Sequence, residues 1–185
     1  MLRTFVAVRI PPTPGLRRLH EKLSELGGKF RPAALGRLHV TLKFLGDTPQ
    51  DKVSQIGATV KRLVECRPAA KVRLAGLGAF PNERRPSVVW VGLEDADVLI
   101  QIAADLEREL AELGFDPEAR AFRPHLTLLR LKARPPEALF ALLSREAHAD
   151  FGAITIDQVE LLQSELARDG ARHTPIATYR LAAER

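Results

Sequence analysis

The tetrapeptide HVTL at residues 39–42 recurs as HLTL at residues 125–128, almost half a chain later. Both copies read histidine, apolar residue, threonine, apolar residue, and both lie in runs of strand-forming residues. Because successive side chains of a strand point to opposite faces, each histidine shares a face with its threonine, whereas the apolar residues point into a core. The repeat therefore predicts an internal duplication that presents two His-Thr pairs.

Strand-like and helix-like segments alternate around the two copies. Apolar and β-branched runs predict strands at residues 4–10, 38–45, 71–80, 87–93, 124–131, 154–162 and 176–181. Amphipathic periodicity predicts helices that begin after Thr13 and near Pro135, and others at about residues 50–65 and 95–113. The polar turn at residues 81–86 predicts an antiparallel hairpin, which argues against a purely parallel sheet, and a break in alternation at residues 157–158 predicts a β-bulge.

The composition is that of one compact globular domain covering residues 1–185. Hydrophobic residues make up 45% of the chain and charged residues 28%. Cys66 is the only cysteine, which excludes an internal disulfide and a cysteine zinc site. No apolar run approaches the roughly 20 residues that span a bilayer, and residues 1–12 lack the apolar stretch of a secretory signal. We therefore expect a cytoplasmic protein without membrane contact.

The charge balance is basic, with 28 Lys and Arg against 23 Asp and Glu and a net charge of +5. This excess is compatible with an acidic partner such as RNA. On charge alone, a mildly basic surface without a specific ligand fits equally well. The net charge alone therefore does not decide between an RNA-binding protein and a protein with a basic surface and no specific ligand.

The duplicated His-Thr pair suits the cleavage of a phosphoester. Histidine exchanges a proton near neutral pH, so two of them can act as a paired acid and base. In-line attack on phosphorus needs a base on the side of the nucleophile and an acid on the side of the leaving group. Threonine hydroxyls and a protonated histidine can donate hydrogen bonds to phosphate oxygens and stabilise their charge without a metal. The two copies are nearly equivalent, so this reasoning does not decide which histidine is the acid.

Two other interpretations of the histidines remain open at this point. A catalytic zinc site needs about three protein ligands, and the sequence lacks an HExxH-like helical pair. His39 and His125 could instead be half-buried strand residues that bind only the backbone. The repetition of the whole tetrapeptide argues against that second interpretation, because a structural role for each histidine does not explain why the same four-residue pattern occurs twice.

The motifs with their flanks, HVTLKFLG at residues 39–46 and RPHLTLLR at residues 123–130, resemble the paired signatures of the two-histidine (2H) phosphoesterases. Specifically, they resemble the prokaryotic RNA 2′,3′-cyclic phosphodiesterases, historically called 2′-5′ RNA ligases. The resemblance extends from the opening strand around Phe5 to the closing strand around Tyr179. All four motif His and Thr positions match the family pattern.

This resemblance implies an α+β fold with two pseudo-symmetric lobes, each an antiparallel sheet backed by helices, around a central groove. It implies hydrolysis of a terminal 2′,3′-cyclic phosphate to a 2′-phosphate without a metal or other cofactor. His39 would be the acid that protonates the departing 3′ oxygen, His125 the base that activates water, and Thr41 and Thr127 would hold the phosphate.

The expected partners are RNA with 2′,3′-cyclic phosphate ends, including tRNA fragments, or small cyclic nucleotides, and the expected state is a monomer. Two rival functions remain. The same site could run in reverse as a 2′-5′ RNA ligase, or the chain could be a binding module that holds RNA ends without turning them over.

Several other residues have weaker claims to the site. Arg130 would bind phosphate only if a bulge or strand end redirected it, since its odd offset from His125 points it away on an ideal strand. Arg84 and Arg85 could follow an RNA backbone, although a solvated turn is the simpler expectation. Phe5 could stack on a base, whereas we expect core positions for Phe44, Phe80 and Trp90. The remaining histidines, His20, His148 and His173, are expected to be structural or exposed.

Overall fold

The computed structural model describes residues 1–27, 29–167 and 170–183. It contains eight strands: β1 (Leu2–Arg9), β2 (His39–Thr48), β3 (Ala70–Phe80), β4 (Val88–Glu94), β5 (His125–Arg130), β6 (Asp150–Ile156), β7 (Gln158–Ala167) and β8 (Gly170–Arg180). Its α-helices are α1 (Pro14–Ser24), α2 (Val53–Glu65), α3 (Asp97–Ala111) and α4 (Glu137–Glu146). Short 3₁₀ turns at Leu35–Arg37 and Gln50–Lys52 precede β2 and α2.

The strands form two antiparallel four-stranded sheets. Sheet one has the order β2-β1-β7-β8 and sheet two the order β5-β4-β3-β6. Each of the two tetrapeptides begins an edge strand, β2 or β5, which we call the motif strands, and each motif strand pairs with the strand that precedes it in the chain. The expectation of an α+β fold built from antiparallel sheets and helices is confirmed, and so is the hairpin formed by β3 and β4.

Each sheet is backed by two helices, one of which follows a strand of the other sheet. Helix α1 follows β1 of sheet one but packs against β6 of sheet two, and α3 follows β4 of sheet two but packs against β2 of sheet one. Helices α2 and α4 pack against the sheets of their own motif strands. This exchange merges most of the buried apolar residues of both sheets and all four helices into one continuous core, while Phe5, Ala7 and Leu162 of sheet one form a separate small cluster.

The start of α1 shows how closely these layers approach. Thr13 caps the helix by accepting a hydrogen bond from the Leu16 amide at 3.1 Å, and its hydroxyl donates to the Phe151 carbonyl of β6 at 2.5 Å. A Cβ atom at Gly15 would come within 2.5 Å of the same carbonyl oxygen. Glycine is therefore required here, because any side chain would push α1 away from β6.

The structure corrects the predicted strand at residues 154–162. The chain breaks at Asp157, so the predicted run comprises the end of β6 in sheet two and the start of β7 in sheet one. The disturbed alternation that predicted a bulge marks instead the point where the chain passes from one sheet to the other. Strand β8 also begins earlier than predicted, at Gly170, and pairs with β7 along its whole length.

None of the helices in the described ranges has the length and apolarity that crossing a bilayer requires.

Candidate active site

The strand register places the two His-Thr pairs at equivalent positions. In sheet one, His39 lies opposite Arg9 and Thr41 lies opposite Ala7 on β1. In sheet two, His125 lies opposite Gly92 and Thr127 lies opposite Trp90 on β4. We call the face of each sheet that carries these residues its motif face. All four motif side chains are half-buried, so each is held by its neighbours and still reaches solvent.

A β-bulge follows each threonine. The register passes from the Ala7–Thr41 pair to the Val6–Lys43 pair, which leaves Leu42 without a partner. On sheet two it passes from the Trp90–Thr127 pair to the Val89–Leu129 pair, which leaves Leu128 without a partner. The extra residue reverses the later alternation.

The bulges decide where the fifth residue after each histidine points. Without them, Phe44 and Arg130 would face the core, because each lies at an odd offset from its histidine. With them, Arg130 pairs with Val88 and Phe44 with Phe5, and both lie exposed on the motif face. The bulge that would bring Arg130 to the site is therefore present.

Both motif histidines are held in the same way. The Nδ1 atom of His39 donates to the Arg37 carbonyl at 2.9 Å, and that of His125 donates to the Arg123 carbonyl at 2.7 Å. Because a carbonyl oxygen can only accept, each bond requires a proton on Nδ1. Each ring thus keeps Nε2 for substrate, as an acceptor when neutral and a donor when protonated.

The two motif strands meet where the sheets adjoin. Residues of β2 and β5 are in contact, and the Ala33 amide, shortly before β2, donates to the carbonyl of the bulge residue Leu128 at 2.7 Å. The charge of Arg130 on β5 lowers the pKa of His39 on β2. The fold therefore brings the two motif strands into contact, although they belong to different sheets.

Burial is the main cause that lowers the pKa of His39 below its ordinary value of 6.5. Its hydrogen bond to the Arg37 carbonyl opposes this shift, the charges of Arg9 and Arg130 add to it, and the Glu160 carboxylate weakly opposes it. Arg9 and Glu160 form an ion pair at 2.7 Å beside the ring, with Glu160 almost completely buried. His39 is thus mostly neutral at neutral pH while no anion is bound.

His173 packs against the motif histidine of sheet one, a contact that the expectation of a structural or exposed residue did not include. Its ring lies 5.0 Å from that of His39 and 4.9 Å from that of Phe5, edge to face in both contacts, while Phe5 lies 5.3 Å from His39. Burial, then the charge of His39, lowers the pKa of His173. Its place depends on the pairing of Ser164 with His173 between β7 and β8, and no local motif signals that pairing.

The aromatic residues expected in the core lie on the motif faces instead. Phe44 is 42% exposed, and the Arg3 guanidinium lies 5.1 Å from its ring centroid. On sheet two, Phe80 lies 5.1 Å from His125 and 5.2 Å from Trp90, measured between ring centroids. The bulges and the hairpin register turn these apolar side chains toward the site.

The other chemistry-bearing residues lie elsewhere. Cys66 is a free, exposed cysteine just after α2, His20 lies on α1 and His148 lies just after α4. Within residues 1–27, 29–167 and 170–183, no three or more His, Cys, Asp or Glu side chains are grouped so that they could hold a metal ion.

Known proteins resemble this chain over nearly its whole length. Residues 12–168 match the family model described as the 2′-5′ RNA ligase superfamily. An RNA 2′,3′-cyclic phosphodiesterase of Aeropyrum pernix is 37% identical over 84% of this chain and 88% of its own length. One of Methanothermobacter thermautotrophicus is 31% identical over 97% and 99%.

Solved structures share the fold. A crystal structure of a Thermus thermophilus protein matches with a TM-score of 0.84 at 29% identity and covers 100% of both chains. E. coli LigT complexed with 3′-AMP matches with a TM-score of 0.72 at 26% identity over 97% of this chain and 98% of that one. The duplicated tetrapeptide, the paired edge strands and these matches agree, and the chain belongs to the 2′-5′ RNA ligase superfamily of two-histidine phosphoesterases.

Proposed function

We propose that this protein hydrolyses the 2′,3′-cyclic phosphate ends of RNA to 2′-phosphates by acid–base catalysis between His39 and His125. The observation that carries the proposal is the matched setting of the two rings: each is fixed through Nδ1 by a carbonyl, and neither Nε2 atom has a hydrogen bond to another described residue. Relatives named RNA 2′,3′-cyclic phosphodiesterase, 31% and 37% identical to this chain, support the same reaction.

The reaction replaces one phosphorus–oxygen bond with another. A water molecule, deprotonated by Nε2 of His125, attacks phosphorus in line with the 3′ oxygen. The bond between phosphorus and the 3′ oxygen breaks, and protonated His39 gives its Nε2 proton to that oxygen. The product carries a 2′-phosphate and a 3′-hydroxyl, and exchange with solvent returns each ring to its starting state. The assignment of acid and base follows the family resemblance.

Three further side chains would hold the phosphate. Thr41 and Thr127 share the motif faces with the histidines, so their hydroxyls can donate to the non-bridging oxygens. Arg130, turned to the same face by the bulge at Leu128, adds a fixed positive charge. Donors placed in advance stabilise the charge that develops on the pentacoordinate phosphorus, and each contributes roughly 10- to 1000-fold to the rate.

The lowered pKa of His39 links proton uptake to substrate binding. Burial and the charges of Arg9 and Arg130 disfavour the imidazolium in the free protein. A phosphodiester anion beside the ring counteracts those charges and favours the protonated form. The acid is therefore charged mainly when its substrate is present.

The test is incubation with a 2′,3′-cyclic mononucleotide and identification of the product isomer. We expect only the 2′-phosphate, and we expect the activity to survive excess EDTA. His39→Ala and His125→Ala should each lose at least about 100-fold in kcat while remaining folded. His20→Ala, a histidine replacement outside the site, is the matched control. Near-normal turnover by either motif variant would refute the mechanism.

Two outcomes of the same assay would favour the rival functions. A 2′-5′ linked product that increases with the concentration of added 5′-hydroxyl RNA ends would indicate ligation, the reverse reaction at the same site. Binding of RNA ends without hydrolysis of any cyclic-phosphate substrate would indicate a binding module. We expect hydrolysis to the 2′-phosphate to remain the main reaction at every concentration of added RNA ends.

The proposed substrates are RNA with 2′,3′-cyclic phosphate ends, tRNA fragments among them, and small cyclic nucleotides. We propose that the protein acts in the cytoplasm, because its proposed substrates are the ends of cellular RNA. A single chain supplies every residue of the proposed site, which supports a monomer. Light scattering during size-exclusion chromatography tests this, and a dimer at micromolar concentration would contradict it.

A further inference from the structure

An open depression of about 1000 Å³ lies on the motif face of sheet two. It lies over β3 and β4, next to the motif strand β5 that carries Thr127. Thr127, Trp90 and Gly78 are successive partners across β5, β4 and β3, so they share that face. Trp90 lines the depression, and its floor is formed by residues 75–79 of β3, of which all except Leu77 are alanine or glycine. The depression therefore continues the candidate active site along the sheet.

Glycine in the floor allows the indole to lie directly on β3. A Cβ atom at Gly78 would come within 2.4 Å of the Trp90 ring, and one at Gly92 would come within 3.5 Å of it. The ring is half-buried, so part of its surface faces the open space. A flat aromatic surface held in this way, beside a roomy and poorly filled depression, suits the stacking of a nucleobase.

The depression is connected to the motif histidine through aromatic rings. Phe80 contacts both His125 and Trp90, with ring centroids 5.1 and 5.2 Å apart. A chain of nucleotides that places its terminal phosphate at His125 would reach Trp90 with its next residue. The stacking surface and the reacting phosphate are therefore neighbours.

One edge of the depression carries a cation on a fixed turn. Arg84 lines the edge, together with Asn82 and Glu83. The Asn82 side-chain oxygen accepts hydrogen bonds from the Arg84 and Arg85 amides at 3.1 and 3.0 Å, which holds the turn. Arg84 is exposed and lines the depression, whereas Arg85 is exposed on the same turn but does not line it. His148 lines the depression from beyond α4, and Glu94, ion-paired with Arg73, lies along β4.

We propose that this depression binds the penultimate nucleotide of an RNA that ends in a 2′,3′-cyclic phosphate, with the nucleobase stacked on Trp90 and a backbone phosphate near Arg84. This rests on the proposed function. The site makes the enzyme prefer RNA ends to cyclic mononucleotides, because a mononucleotide lacks the second base that would stack on Trp90 and the backbone phosphate that would lie near Arg84.

Trp90 is the only tryptophan of the chain, so its fluorescence reports on this site directly. The protein is titrated with a dinucleotide that ends in a 2′-phosphate, with the same dinucleotide lacking the penultimate base, and with the 2′-mononucleotide. We expect saturable quenching with the first ligand only. Equal quenching by all three ligands, or by none while the mononucleotide is still hydrolysed, would overturn the subsite.

Variants provide a second measurement, the ratio of kcat/KM for a cyclic-phosphate dinucleotide to that for the cyclic mononucleotide. Arg84→Ala should lower this ratio about 2- to 5-fold, as expected for an exposed charge contact. Trp90→Leu should lower it about 10-fold or more. Arg85→Ala is the matched control and should leave it unchanged. Loss of activity on both substrates in equal proportion would overturn the proposal.

Failure of the subsite and failure of the proposed function give different results. If wild-type protein hydrolyses the mononucleotide and the ratio is insensitive to Arg84 and Trp90, the subsite is wrong and the activity stands. If no cyclic phosphate is hydrolysed but base-dependent quenching is seen, the catalytic proposal is wrong and the nucleotide site stands.

Discussion

Arg130 and His39 interact across the two sheets: the guanidinium at the end of β5 lowers the pKa of the imidazole at the start of β2. The interaction depends on the bulge at Leu128, which turns Arg130 to the motif face, and on the contact between the two motif strands. Burial is the main cause that lowers the pKa of His39, and a residue of the second repeat adds to this shift together with Arg9. The two halves of the repeat are therefore electrostatically coupled, and replacing a charged residue in one half should change the pKa of the histidine in the other.

Replacement of Arg130 by Gln should weaken catalysis and raise the pKa of His39. The variant lacks a positive charge near the phosphate, so kcat/KM should fall about 10- to 100-fold. It also lacks a charge that disfavours the imidazolium, so the pKa of His39, followed by NMR titration of its ring protons, should rise toward 6.5. Lys132→Gln, an exposed cation two residues further on, is the control and should change neither quantity.

The Arg9–Glu160 ion pair should adjust the pKa of His39 in both directions. Arg9→Gln removes a cation that lowers this pKa and frees the carboxylate of Glu160, so the pKa should rise. Glu160→Gln removes an anion that raises it, so the pKa should fall further. NMR titration of His39 in the two variants measures both changes. Shifts of the same sign would show that this pair does not set the charge state of the ring.

Substrate binding should move the basic limb of the pH–rate profile to higher pH. In the proposed mechanism His39 must be protonated, so activity is lost as pH rises through its pKa. The profile of kcat/KM reports this pKa in the free enzyme, where burial, Arg9 and Arg130 lower it, and the profile of kcat reports it with the phosphate bound. Because the anion favours the imidazolium, the limb should lie at higher pH for kcat.

The basic limbs of the two pH–rate profiles report macroscopic pKa values of interacting groups. The comparison therefore uses the direction in which the limb moves between kcat/KM and kcat. A limb at the same pH in both profiles, or at lower pH for kcat, would contradict the link between proton uptake and binding. Measurement on the 2′,3′-cyclic mononucleotide keeps the comparison free of any contribution from the nucleotide subsite at Trp90.

Lys43 and Glu107 should contribute unequally to stability. The Lys43 side chain is completely buried behind the motif face, and its ammonium donates to Glu107 at 2.6 Å and to the Asp116 carbonyl at 3.0 Å. Glu107→Ala leaves a buried charge with only the carbonyl, and it should lower the free energy of unfolding by roughly 3 kcal/mol. Lys43→Met removes the buried charge itself, while Glu107, 23% exposed, still accepts from the Glu118 amide.

We therefore expect Lys43→Met to be the milder variant. Urea denaturation of both proteins at neutral pH gives the comparison, and Arg62→Met, which removes an exposed partner of Glu109 between α2 and α3, is a control that should change stability by less than about 1 kcal/mol. A Lys43→Met protein less stable than Glu107→Ala would show that the ammonium is better solvated than its burial indicates.

The local pattern predicts much of this architecture. Helices α1 to α4 and most strands lie where periodicity and turn residues place them, and the repeated tetrapeptide identifies His39, Thr41, His125 and Thr127 before any coordinates. The prediction from periodicity is wrong at Asp157. A shift in the alternation of apolar residues there is expected both for one bulged strand and for two strands that belong to different sheets. Only the pairing partners distinguish these cases.

Alternation along a strand depends only on backbone geometry, so the pattern of residues is enough to predict the pair of His-Thr faces. The same pattern does not predict that Arg130 and Phe44 lie on the motif faces, that His173 packs on His39, or that Trp90 lies over Gly78. Each of these depends on which residue of a neighbouring strand stands opposite, and a shift of one residue there reverses the face. Register depends on how the apolar faces of neighbouring strands match and on the turns that join them, so it cannot be predicted from one strand alone.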